Sequence, residues 1–209
     1  MDRSRTERIK SWPSSTYSGG DDLYTLADQE FSGTIHANSQ WAFFLNGQII
    51  GIFGGSLATM KDASGTAYRA PHASLPLLFV MKEQNTEARA KYYTKDTPLS
   101  EIHETLISGN FTGYIELREN ILSGDYYVVY HSGNSMSVAF VGTNDDLITG
   151  EQAFERANNE VGIYKVFPAD ITIHELPERS PNATTEDETD VVASQTESND
   201  SQNGEDVTA

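Results

Sequence analysis

Histidine is the residue type in this chain best suited to bind a metal or move a proton near neutral pH. The chain has five: His36, His72, His103, His131 and His174. A zinc-binding helix carries two histidines about four positions apart, as in H-E-x-x-H. His103-Glu104 starts this motif, but Ile107 stands where the second histidine belongs. The spacing therefore predicts no metal site, and we expect His103 to be a core or boundary residue on the apolar face of a helix.

Nucleophilic catalysis needs an activated serine or cysteine in a suitable setting. The chain has no cysteine, which excludes thiolate chemistry and disulfides. Ser135 follows His131 in H-S-G-N-S, but a nucleophile elbow has glycine two positions to either side of the serine. Here Ser137 takes the second of these positions, within a predicted hairpin. We therefore predict no catalytic residue and no cofactor, and expect that the chain is not an enzyme.

Two loops resemble ligand-binding loops only in part. Gly51, Gly54 and Gly55 follow a predicted strand, without the Gly-Lys-Ser/Thr of a phosphate-binding loop. Asn144-Asp145-Asp146 lacks the glycine and the distal glutamate of a calcium-binding loop. We expect turns in the first and a solvated acidic loop in the second.

The charge of the chain limits its partners. It has 31 acidic and 14 basic residues, for a net charge of −17. Nucleic-acid binding depends on neutralising phosphates, so the sequence predicts no nucleic-acid partner. An acidic surface with few lysines is typical of a halophile's cytosolic protein, where salt screens charge; a mesophilic protein with an acidic tail is the alternative. With no signal peptide and no apolar run of spanning length, we expect a cytoplasmic protein without membrane insertion.

An internal repeat determines the predicted architecture. Phe31-Ser32-Gly33 recurs as Phe111-Thr112-Gly113, and each copy is followed by two β-rich runs around a hairpin glycine, Gly47 or Gly133. The repeat predicts an α+β fold with two related units in tandem. We place a flexible N-terminus at 1–20, the first α+β unit at 21–95, the second at 96–177 and a disordered acidic tail at 178–209.

Each unit is predicted to contain a short helix, antiparallel strands with a hairpin, a second helix and a strand. In the first unit, Asn46-Gly47 indicates a type I′ turn. Ser74 is expected to cap the second helix, and 88–93 to form the closing strand, with an insertion between Leu57 and Ser74. In the second unit, apolar residues from Leu99 to Ile107 recur at helical spacing.

The second half resembles PATAN-type domains, small α+β modules found at the N-terminus of some response regulators. The matching residues are Phe111, Gly113, Tyr130, Gly133, Gly150, Ala153, Phe154, Gly162 and Tyr164. The whole chain is similar to a family of haloarchaeal proteins that share the strings F-T-G-Y-I-E-L and L-S-G-D-Y-Y-V-V-Y, a resemblance that carries no activity. PATAN-type domains mediate protein contacts in signalling and surface motility, so the resemblance implies an adaptor.

The predicted strands contain more aromatic residues than one core face needs, and exposed aromatic residues are frequent interaction anchors. We therefore take Trp41, Tyr92, Tyr93, Tyr127 and Tyr130 as the candidate interaction surface. The predicted function is a non-catalytic signalling or regulatory adaptor with a protein partner, in motility, polarity or cell-shape control. The alternative is a small-molecule sensor with a pocket between the units, lined by residues such as Trp41 and Tyr130. The sequence leaves a homodimer open.

Overall fold

The computed structural model describes residues 3–178, which form six helices and two antiparallel sheets. The helices are α1 (Arg3–Lys10), α2 (Gly20–Asp28), α3 (Leu57–Lys61), α4 (Ser74–Glu83), α5 (Leu99–Ser108) and α6 (Gly150–Asn159). The strands are β1 (Ser14–Tyr17), β2 (Gly33–Ala37), β3 (Gln40–Leu45), β4 (Gln48–Phe53), β5 (Gly65–Arg69), β6 (Ala90–Tyr93), β7 (Gly113–Glu119), β8 (Gly124–His131), β9 (Asn134–Val141), β10 (Asp146–Thr149) and β11 (Ile163–Pro168). The prediction of a mixed α+β fold is confirmed.

The strands are arranged in the same order in both sheets. The first sheet has the order β1-β5-β2-β3-β4, and the second has the order β10-β9-β8-β7-β11-β6. When the strands are matched along the chain, β6, β11, β7, β8 and β9 correspond to β1, β5, β2, β3 and β4. The strand β10 is an addition beside β9. The repeated sequence motif therefore accompanies a repeated chain topology.

The predicted hairpin turns are present in both sheets. Asn46 and Gly47 join β3 to β4 with φ angles of 48° and 80°, as a type I′ turn requires. Ser132 and Gly133 join β8 to β9 with φ angles of 51° and 74°. In each hairpin, glycine provides the second left-handed position at little steric cost.

The helix α4 lies between the two sheets. It packs against β2, β3 and β4 on one side and β7, β8 and β9 on the other. Its residues Ser74 to Met81 are all buried, and the segment Leu75 to Met81 is entirely apolar. A helix that is apolar on all sides needs partners all round it. The inner faces of the two sheets supply these partners.

The outer face of each sheet carries its own pair of helices. Leu23 of α2 and Met60 of α3 are buried with the outer residues of the first sheet. Leu99 of α5 and Ala153 of α6 are buried with those of the second. The layers therefore run helix, sheet, helix, sheet, helix, and both faces of each sheet contribute to a core.

The structure corrects the predicted limits of the first unit. The supposed insertion between Leu57 and Ser74 contains α3 and β5, which complete the first copy of the repeat. The predicted closing strand at 88–93 is instead β6, and it pairs with β11 in the second sheet. Because α3 has only five residues, it lacks the periodicity by which helices are recognised. Residues up to Leu176 form one compact unit.

The prediction of a flexible N-terminus at 1–20 is also wrong for most of this segment. Residues 3–10 form α1, residues 14–17 pair with β5, and Ile9 is fully buried. Arg3, Arg5 and Arg8 of this segment make ion pairs, which are described below. The predicted disordered tail lies outside the described residues, apart from Glu178.

The F-[ST]-G step owes its repetition to close packing at the start of β2 and of β7. A Cβ atom on Gly33 would lie 2.2 Å from the carbonyl oxygen of Tyr68 and 2.5 Å from the ring of Phe31. On Gly113, it would lie 2.1 Å from the carbonyl oxygen of Phe167 and 2.7 Å from the ring of Phe111. In both copies, the phenylalanine ring and the adjacent strand occupy the space of a side chain.

We expect Gly33→Ala and Gly113→Ala each to lower the free energy of unfolding by about 2–3 kcal/mol, because the added methyl group overpacks a rigid backbone contact. Urea denaturation of the purified variants measures the loss. Gly20→Ala is the matched control, since its Cβ would lie no closer than 3.8 Å to any neighbour. Equal stability of all three variants would contradict this account of the motif.

A histidine supports the start of α4. The backbone N–H of Ser74 donates to Nδ1 of His72 at 3.2 Å, and the Ser74 hydroxyl lies 2.8 Å from the same nitrogen. Burial lowers the pKa of His72 below its usual 6.5. Protonation would remove the acceptor and place a positive charge at the helix N-terminus, where the helix dipole disfavours it.

We expect acid to destabilise the fold through His72. Because the folded-state pKa is lowered, the unfolded chain binds protons first as the pH falls. This contribution to stability is present above about pH 6.5 and is lost below it. Melting temperatures between pH 8 and pH 5 should therefore fall less steeply for His72→Asn than for the unchanged chain. Identical slopes would contradict the capping role.

Candidate interaction groove

The structure places the five predicted contact residues in different environments. Trp41, Tyr127 and Tyr130 are buried, with only 8%, 5% and 1% of their surface exposed. Tyr92 is half-buried and stacks on Tyr164, whereas Tyr93 is 39% exposed. The expectation of one exposed aromatic surface is therefore wrong for three of the five.

These three residues are buried because both faces of each sheet contribute to a core. The predicted interaction surface counts one buried face for each sheet and leaves the remaining aromatic residues to the surface. Tyr127 packs in the core around α4, and Tyr130 packs in the outer core of the same sheet. Both faces of β8 are covered, so aromatic residues on both faces are used for packing.

The N-terminal helix α1 closes the space between the sheets at one end. Ile9 and Trp12 are buried in the same core as α4, and the Trp12 ring stacks on Phe79 with centroids 5.9 Å apart. Ile9 is the one apolar residue of α1, and Trp12 follows the helix, so the sequence of α1 has no recognisable amphipathic pattern. This part of the fold was missed for that reason.

Arg8 fixes α1 to the second sheet. Its guanidinium carbon lies 3.6 Å from the ring centroid of Phe140, and Nη2 lies 2.7 Å from Oδ2 of Asp145 in the β9–β10 turn. Arg5, one turn earlier, forms an ion pair of 2.9 Å with Glu83 at the end of α4. The acidic loop expected to be solvated therefore provides one anchor of the helix.

A groove of about 540 Å³ runs between α1, the start of α4 and the β9–β10 turn. Its apolar lining consists of Trp12, Pro13, Pro71, Leu75, Phe79, Phe140 and Leu147. Its polar lining consists of Ser4, Glu7, Arg8, Ser11, Asn144 and Asp145. We call this surface the α1 groove. An apolar floor with a polar rim of both charges is the usual composition of a protein interface.

A second cleft of about 390 Å³ lies on the other side of Arg8, and its charges are paired. Lys82 Nζ lies 2.6 Å from Oε1 of Glu116 and 4.6 Å from the ring centroid of Tyr127. Burial, with a smaller contribution from Glu116, raises the pKa of Tyr127. These pairs attach the end of α4 to the second sheet, so this cleft stabilises the layers around the α1 groove.

Two histidines line a third cleft of about 290 Å³. His72 and His103 line it with Glu151 and Ser135. His103 Nδ1 lies 2.9 Å from the Tyr130 hydroxyl, and burial lowers the pKa of His103. Within residues 3–178, no group of three or more potential ligands is arranged to hold a metal ion. The half-buried position of His103 on α5 agrees with its predicted packing role.

Comparison with protein-family models, with curated proteins and with solved structures found no match to this chain. In the described part of the chain, no helix combines the length and apolar character needed to cross a membrane. Function is therefore inferred from the chemistry of the α1 groove itself.

We expect Arg8→Ala to loosen α1, because the variant loses both the ring contact and the ion pair. The free energy of unfolding should fall by about 1–2 kcal/mol, most of it from the ring contact, since Asp145 is largely exposed. Hydrogen exchange of the α1 amides should accelerate more than exchange in β8. Arg3→Ala is the control, because Arg3 is almost fully exposed and its ion pair among residues 3–178 is with Glu7 of the same helix. Unchanged α1 exchange in Arg8→Ala would refute the anchoring role.

Proposed function

We propose that the protein is a non-catalytic adaptor that binds another protein through the α1 groove. The observation that carries this proposal is the groove's composition, an open apolar floor with carboxylate, guanidinium and hydroxyl groups at the rim. Such surfaces bury a partner's apolar side chain at the centre and exclude water with the polar groups around it.

The groove favours a partner segment with a large apolar side chain flanked by polar residues. Trp12, Phe79 and Phe140 offer flat ring surfaces for that side chain. Arg8 and Asp145 neutralise each other at 2.7 Å, so the rim favours a partner segment that is itself close to neutral. Because these titratable groups are engaged with each other, the groove is suited to binding rather than to proton transfer.

The resemblance to PATAN-type domains supports a place in a signalling or regulatory pathway. Its implied setting is cytoplasmic, in the control of motility, polarity or cell shape. The shared strand order of the two sheets supports the proposed duplication of a PATAN-like unit. In this proposal the central helix α4 holds both copies together, and α1 completes the binding surface.

A small-molecule sensor is the second candidate function. The groove volume of about 540 Å³ is within the range of ligand pockets, and aromatic residues dominate its floor. The groove lies at the end of the space between the two sheets, although Trp41 and Tyr130 do not line it. A ligand that binds only the folded chain would raise its melting temperature.

A charged substitution in the α1 groove tests whether the partner binds there or at another surface. Leu147→Glu puts a carboxylate at its apolar edge, where the leucine is already 36% exposed. Leu122→Glu is the matched control, because Leu122 is fully exposed and lies outside the groove. In affinity capture from a high-salt lysate of the source cells, we expect a partner retained by the unchanged chain and by Leu122→Glu. Leu147→Glu should retain at least about tenfold less of it.

Retention of the same partner by Leu147→Glu would refute the α1 groove as the binding surface. The sensor candidate is tested by a thermal-shift screen of nucleotides and metabolites on the same three proteins. A compound that stabilises the unchanged chain and Leu122→Glu, but not Leu147→Glu, would favour the sensor over the adaptor.

A further inference from the structure

The strand β10 is an open edge of the second sheet, and it lies beside the α1 groove. It pairs with β9 on one side, and its residue Leu147 also lines the groove. Asp146 and Leu147 are both exposed. The repeat does not account for this strand, because the first sheet ends at β4, the equivalent of β9. An edge strand with unpaired backbone groups is a template for another strand.

One edge of the first sheet shows how this fold binds an extended segment. The His174 N–H donates to the Ile49 carbonyl of β4 at 2.8 Å, in an antiparallel bridge. Two residues later, Leu176 packs against the buried residues on the outer face of the same sheet. Backbone hydrogen bonding and an apolar side chain therefore act together at this edge.

The backbone N–H and carbonyl of Leu147 point away from the sheet. The Gly142 N–H donates to the Ser123 carbonyl, which extends the ladder between β8 and β9 by one pair. Hydrogen-bonded and non-hydrogen-bonded pairs alternate in such a ladder, so Phe140, two positions earlier, bonds to β8. Phe140 lies opposite Leu147, so these two residues form a non-hydrogen-bonded pair. Among residues 3–178, no hydrogen bond from outside β9 and β10 is made to the Leu147 backbone.

The pleat of β10 determines where the side chains of an added strand would point. Residues directly opposite each other in an antiparallel pair have their side chains on the same face. The residue opposite Leu147 would therefore point to the α1 groove, because Leu147 lines it. Asp146 and Ile148 are on the other face, where Ile148 packs against the outer core. Asp146 is exposed and makes no ion pair with any of residues 3–178, so it can pair with a basic residue of a partner.

Resting on the proposed role of the α1 groove as a binding surface, we propose that the partner adds an extended segment to β10. The segment runs antiparallel, as all the described strand pairs do. A large apolar residue lies opposite Leu147, exchanges two backbone hydrogen bonds with it and places its side chain in the groove. The residue after it is basic and lies opposite Asp146. In this mode of recognition, backbone hydrogen bonds contribute affinity and the side-chain contacts contribute specificity.

The probe is the fluorescent peptide S-T-V-F-K-T-S, whose phenylalanine lies opposite Leu147 and whose lysine lies opposite Asp146. Fluorescence anisotropy with the full chain measures its affinity, and we expect saturable binding. Methylation of the phenylalanine nitrogen should weaken binding by about tenfold or more, because it removes the hydrogen bond to the Leu147 carbonyl. Methylation of the lysine nitrogen is the matched control, because that N–H points away from β10, and it should leave the affinity unchanged. An equal loss from both methyl groups would overturn the proposal.

The predicted charge pair is tested on the chain. Asp146→Lys should weaken binding of the peptide by about threefold and strengthen binding of a peptide with glutamate in place of the lysine. Asp96→Lys is the control, because it makes the same change of charge at an exposed position beyond β6, at the opposite edge of the sheet. An equal effect of the two substitutions would contradict the register.

Hydrogen exchange of the full chain distinguishes strand addition from simple occupancy of the α1 groove. The Leu147 amide should exchange at least about tenfold more slowly when the peptide is bound, because its N–H then donates to the peptide. Peptide binding without slower exchange at Leu147 would overturn strand addition. So would the absence of saturable binding. The groove itself is tested separately, by partner capture with Leu147→Glu. A partner lost by Leu147→Glu, together with no binding of the peptide, would refute strand addition and leave the groove as the binding surface.

Discussion

The burial of α4 between two sheets is the constraint on which the rest of the structure depends. A helix with apolar residues on every side cannot face water, and a single sheet covers only one side of it. Two sheets are therefore needed, and each must present an apolar inner face to the helix. Only where α4 ends do charged residues begin, and there Lys82 and Glu83 pair with Glu116 and Arg5. The Arg5–Glu83 pair joins α1 to the end of α4 and so helps to set the position of the α1 groove.

Several elements could be predicted from local sequence because their geometry is local. The Asn46-Gly47 turn needs two left-handed residues, and the strands on both sides of it are rich in β-branched and aromatic residues. The F-[ST]-G steps were visible because both copies need glycine for the same close approach to a neighbouring strand. The helix α5 was visible from its apolar spacing. Each of these signals lies within a few residues of the feature it specifies.

The groove could not be predicted because its parts meet only in the folded chain. Trp12 follows α1, Phe79 lies on α4 and Phe140 lies on β9, and no local pattern joins them. Three of the five aromatic residues chosen from sequence, Trp41, Tyr127 and Tyr130, are core residues, since composition alone does not tell whether one or both faces of a strand are covered. The assignment of α4 to one unit was wrong for a related reason. It follows the first copy in the sequence but packs against both sheets.

The position of α4 between the two copies has a consequence for synthesis on the ribosome. The first sheet and α4 emerge from the ribosome before the second sheet exists, so the apolar side of α4 that faces β7, β8 and β9 has no partner at that stage. The helix α1 is anchored later still, because its residue Arg8 pairs with Asp145, which lies 137 positions further along the chain. The first helix to be made is thus among the last to be secured. The nascent chain must protect its apolar surface until most of its length has emerged.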